Sequence, residues 1–103
     1  MAKLWLHVKS DNAYWEVGRG FLLNESGERV QAMVVYKDRH GEKVWVRDQA
    51  EFDDGRFALQ GYVEGTVPVT FPLHGLLEAD LRLCVIEPEG TTPDGVLLIR
   101  VAA

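Results

Sequence analysis

Val30–Arg47, VQAMVVYKDRHGEKVWVR, holds two alternating apolar runs around a short polar turn and reads as a long β-hairpin. If His40-Gly41 is the two-residue connection, Gly41 supplies a positive φ at little steric cost. The facing pairs are then Arg39 with Glu42, Asp38 with Lys43, Tyr36 with Trp45, and Val35 with Val46. Two of these join opposite charges. A shift by one residue sets Asp38 against Glu42, which costs a few tenths to about 1 kcal/mol, so the first register is the expected one. One face then carries Val34, Tyr36, Trp45 and Arg47, and the other Met33, Val35, Val44 and Val46. Both are substantially apolar, as in a central strand pair covered on two sides.

The 103 residues make room for one domain, residues 1–103, that buries a core without disulfides. Hydrophobic residues make up 47% and charged residues 26%, which fits a globular chain and argues against disorder. No apolar run approaches the roughly 20 residues a bilayer span needs, so no membrane association is expected. The N-terminus alternates polar and apolar residues and lacks a secretory pattern. Cys84, the single cysteine, cannot staple the fold, which favours a reducing, cytoplasmic location. A net charge of −5 argues against nucleic acid and anionic lipid and leaves a basic protein surface as a suitable partner.

Outward from the hairpin, Leu4, Leu6 and Val8 alternate with Trp5, His7 and Lys9, a first strand whose apolar face is the leucine–valine one. Residues 14–23, YWEVGRGFLL, form a second strand in which Gly18 and Gly20 predict a bulge or bend. A Ser26-Gly27 turn would set Phe21 against Ala32 and Leu23 against Val30. Downstream, Asp48–Glu51 has room for one helical turn. Asp54-Gly55 predicts a tight hairpin with Phe52 opposite Phe57 and Asp53 opposite Arg56, extending an antiparallel meander over residues 14–63. Pro68 and Pro72 confine the extended stretch around them to a sheet edge. His74–Ala79 reads as a helical turn or loop. Leu81–Ile86 and Val96–Val101 form a final hairpin across a long polar connection, Glu87–Gly95. The fold class is therefore all-β: a small antiparallel barrel or sandwich built on a meander, with at most one short helical turn.

Several of these segments resemble a bacterial family of short domains of unknown function, marked by H-Y-K-G, Y-E-V, V-V-Y and W-V-R-P motifs followed by M-F. The counterparts are His7 and Lys9, Trp15-Glu16-Val17, Val34-Val35-Tyr36, Trp45-Val46-Arg47 and Phe52, all in the first half of the chain. Val8 and Ser10 replace the tyrosine and glycine of the first motif, two residues are inserted before Trp15, and Asp48 replaces the proline. The resemblance implies a compact β domain and no particular activity.

Tyr36, Trp45 and Arg47 share one face and form the candidate binding residues, since aromatic side chains and arginine concentrate at interface hot spots and stack on bases or cyclic ligands. The competing reading makes them an internal layer with Arg47 reaching solvent. Asp48, Glu51, Asp53 and Asp54 lack calcium-loop spacing, and His7, His40 and His74 lack zinc spacing, so neither metal nor cofactor is expected. A Cys84–His74 nucleophile pair is the only enzymatic option, without local support for a lowered thiol pKa. The leading expectation is a non-enzymatic module that binds another macromolecule through a sheet face or edge, in one version a phage or mobile-element product acting on a host protein. The alternative is a small-ligand or nucleotide-binding barrel using Tyr36, Trp45 and Arg47. A homodimer burying Trp5 or Trp15 is compatible with either.

Overall fold

The hairpin forms in the expected register, with Tyr36 opposite Trp45 and Val35 opposite Val46. In a computed structural model that describes residues 1–91 and 95–102, it supplies the third and fourth of eight strands. These are β1 (Ala2–His7), β2 (Asn12–Leu23), β3 (Arg29–Asp38), β4 (Val44–Asp48), β5 (Phe57–Val63), β6 (Leu73–Leu77), β7 (Leu83–Pro88) and β8 (Leu97–Val101). One short helical segment, α1 (Gln49–Glu51), runs directly into a wider π-type turn over Phe52–Arg56. The chain is all-β, as expected, and of the two expected architectures, barrel or sandwich, it is a small barrel; no helix among the described residues is long and apolar enough to cross a membrane.

Six strands close the barrel in the order β2-β3-β4-β6-β7-β8 and back to β2. Each half, β2-β3-β4 and β6-β7-β8, is an antiparallel meander, and the halves meet at two short parallel seams, β4 with β6 and β8 with β2. A glycine sits at each seam. A Cβ on Gly20 would overlap the Leu97 carbonyl, and one on Gly75 would lie 3.2 Å from the Val44 carbonyl. The bend expected from the paired glycines is present as a register shift between Glu16 and Gly18. The interior is filled by Met33, Val35, Val44, Val46, Leu77, Cys84, Ile86, Leu97 and Ile99.

The opposite face of the β3–β4 hairpin carries a second, aromatic core. Val34, Tyr36, Phe52 and Phe57 are buried there, with Trp5, Tyr14 and Trp45 packed against them. Phe52 stacks on Phe57 at 4.2 Å between ring centres, and Trp5 meets Phe52 edge-on at 5.1 Å. Arg19 of β2 ties the helical turn down through paired bonds to Asp53 of 2.8 and 3.1 Å.

Five local expectations are corrected. Asp54-Gly55 does not make a hairpin: Asp48 caps a helical turn by accepting from the Glu51 N–H, and β5 pairs with β1 instead of β4. Phe52 and Phe57 do meet, but across that turn. The packed face of β1 is the Trp5–His7 face, because the helical turn brings Phe52 and Phe57 to it, while Val8 lies beyond the strand and exposed. Leu23 faces Arg29, not Val30, because the register slips after Leu22. His74 lies within a strand, β6, and the prolines at 68 and 72 lie outside every strand. Part of the long connection expected over Glu87–Gly95, residues 92–94, lies outside the described residues.

Candidate functional site

Tyr36 and Arg47 are buried in the aromatic core, 3% and 9% exposed, whereas Trp45 is half-buried at its margin. The Arg47 Nε–H donates to the Tyr36 hydroxyl at 3.2 Å, and its guanidinium carbon lies 5.4 Å from the Phe57 ring centre. Burial pushes the Tyr36 phenol above its usual range, so it stays neutral at physiological pH. The far end of the guanidinium leaves the aromatic layer and holds two carboxylates, Glu78 at 3.2 Å and Glu51 at 3.7 Å. Arg47 thus reaches from one core to the rim of the other.

That rim surrounds a recess of about 170 Å³ at one mouth of the barrel. Leu22, Met33, Val46 and Leu77, which pack in or against the barrel core, line it, and Asp48, Glu51, Glu78 and Asp80 stand around it with Arg47 and Arg82. Four carboxylates outnumber two guanidinium groups, so the mouth is acidic over an apolar lining. Each carboxylate is held: Asp48 accepts from Gln31 at 2.8 Å and Asp80 from Arg82 at 2.6 Å.

Beside the recess, Leu81 of the β6–β7 connection and Leu83, the first residue of β7, are 62% and 49% exposed. Leu81 has φ +60°, a left-handed conformation that costs an L residue roughly 1–2 kcal/mol and normally falls to glycine or asparagine. It is fixed there by its N–H bond to the Leu77 carbonyl at 2.7 Å. A leucine strained at a turn and pointed largely at water gains little from the fold. Sequence reasoning missed it because Leu81 continues the alternation of Leu83 and Val85; only the preceding Glu78-Ala79-Asp80 marked a turn.

Trp45 belongs to a separate, open recess of about 410 Å³ near the β3–β4 turn, lined also by Tyr14, Asp38, Arg39, His40 and Lys43. Its indole N–H donates to Asp38 at 3.3 Å, and the Lys43 ammonium stands 5.6 Å from its ring centre. The structure therefore separates Trp45 from Arg47. Cys84 lies wholly inside the barrel, where burial pushes its thiol up, while His74 of the neighbouring strand is exposed. Gly75 is the residue facing Cys84, which leaves His74 and Cys84 on opposite faces. Among the described residues no group of three or more His, Cys, Asp or Glu side chains could hold a metal.

No protein-family model, no curated protein and no solved structure matches the chain.

Proposed function

We propose that the protein is a non-enzymatic interaction module that grips a basic, partly apolar segment of another protein at the acidic barrel mouth. The observation that carries this reading is Leu81, an exposed leucine held in a strained backbone beside an apolar recess. Strain of this kind clusters at ligand-contacting and switch sites. The four rim carboxylates suit Lys or Arg side chains, whose aliphatic stems would lie along Leu22, Met33 and Leu77. Arg47 acts as a positioning residue, holding Glu51 and Glu78 toward the opening. A phage or mobile-element product that occupies a host protein is one form of this reading.

The test is affinity capture from a bacterial lysate on the immobilised chain, compared with Leu81→Asp and with Glu78→Lys. Retention of a protein with an accessible basic segment by the wild type, weakened roughly tenfold or more by either change, is expected. Equal retention by all three, or none above background, rejects the barrel mouth as the binding surface.

A second reading rests on the recess at Trp45, where an indole and the cations Arg39 and Lys43 suit an aromatic anion such as a nucleotide. Tryptophan fluorescence quenched by nucleotides in the wild type and not in Trp45→Phe supports it. An unchanged signal on titration leaves Trp45 as packing.

A further inference from the structure

Every barrel strand is closed into the ring, but the side arm β1–β5 ends in an open edge. Among the described residues β5 pairs with β1 alone, and it is the last strand of the sheet. Edge strands are normally guarded by charge, proline or brevity. β5 reads FALQGYV, seven residues with neither charge nor proline, in a chain that is 26% charged. Leu59, Tyr62 and Val63 are exposed along it. Its single guard is the bulge at Gln60, the extra residue between Leu59 opposite Trp5 and Gly61 opposite Leu4.

We propose that this edge pairs with the same edge of a second copy of the chain, antiparallel, about a two-fold axis at Gln60. The charges flanking the strand select this occupant. Arg56 precedes β5 and Glu64 follows it, each four residues from Gln60. Antiparallel pairing about that centre sets Arg56 of one copy opposite Glu64 of the other, twice per dimer. A parallel arrangement would set like charges together at both ends. Arg56 and Glu64 are both exposed; Arg56 holds Asp54 at 2.9 Å and Glu51 at 3.9 Å, and with its side chain 52% exposed the guanidinium remains accessible to a further carboxylate. The contact is isologous and closes at two copies, so it does not propagate into a fibre. With Gln60 facing Gln60 the ladder forms on the two flanks of the bulge, which shortens each run of paired residues. The surface is remote in sequence from Leu81 and meets the barrel mouth only through Arg56, which lies 3.9 Å from Glu51; Leu59 and Glu64 lie outside the mouth.

The experiment is sedimentation velocity on the purified full chain from micromolar to millimolar concentration, with Arg56→Glu and Glu64→Arg and an equimolar mixture of the two. The wild type is expected to shift from the monomer to twice its mass. Each single variant should need roughly tenfold more protein for the same shift, because two ion pairs become two repulsions. The mixture should recover the wild-type behaviour, since a dimer made of one copy of each variant again sets opposite charges together at both ends. A wild type that stays monomeric throughout, or a mixture no better than its components, overturns the proposal. Leu59→Lys, at an exposed position, provides a second variant: if it dimerises as the wild type does, the contact lies elsewhere and the proposal fails.

Discussion

Gly20 is the position where one atom decides whether the barrel closes. β2 and β8 approach so closely at the parallel seam that a Cβ on Gly20 would overlap the Leu97 carbonyl, which is backbone and cannot swing aside. Gly20→Ala should therefore cost about 4 kcal/mol or more, read as a lowered midpoint in urea; a loss under about 1 kcal/mol would show that the seam yields. Leu81 makes the opposite case. Leu81→Gly relieves the left-handed strain and, after the extra freedom glycine gains in the unfolded chain, should stabilise by about 0.5–1 kcal/mol while weakening partner capture. Stability and binding falling together would show that Leu81 supports the fold. His7 makes a third, pH-dependent case. Burial, with help from the Arg47 charge, lowers its pKa below the ordinary 6.5, so the folded chain favours the neutral ring. Its contribution is complete above pH 6.5 and is lost as pH falls toward the lowered folded value, because the unfolded chain binds the proton first. His7→Gln should flatten the decline in stability as pH falls below 6.5 relative to wild type; an unchanged slope assigns the decline to other groups.

The β3–β4 hairpin and the Phe52 turn show what alternation does and does not reveal. Strict alternation around His40-Gly41, reinforced by Asp38 with Lys43, specified both the pairing and the two apolar faces, and the structure keeps both. Asp54-Gly55 carried an equally strong hairpin signal, yet the chain there winds into a helical turn. Asp48 caps that turn and buried Phe52 docks it on Phe57, and neither contact is visible in a local pattern. Tertiary packing overrode turn chemistry. Phe52→Ala should accordingly cost about 3–5 kcal/mol and Asp48→Ala only about 1 kcal/mol, both measured by chemical denaturation. Comparable losses from the two would mean that the cap, not the aromatic stack, holds the turn.

Barrel closure itself was hardly legible. Two parallel seams of two and three residue pairs join halves with the same strand pairing, but the sequences of those halves show no repeat. The candidate site was half legible for a related reason. Arg47 was singled out from its neighbours Tyr36 and Trp45, whereas its partner Glu78 and the mouth it helps to form arise only when β4 meets β6 across a long sequence gap. Cys84 shows the consequence of closure most directly. It faces the interior between Gly75 and Val101 with no exposed surface, and burial raises its thiol pKa, so it has neither access nor thiolate character. Reaching it requires parting β7 from a neighbouring strand, which opens the ring. Labelling by a small disulfide reagent at neutral pH should thus proceed at the rate or equilibrium of global unfolding and rise with urea in step with the loss of tertiary signal. Fast labelling of the native chain would mean that the barrel opens locally along a seam, and it would return Cys84 to consideration as a reactive group.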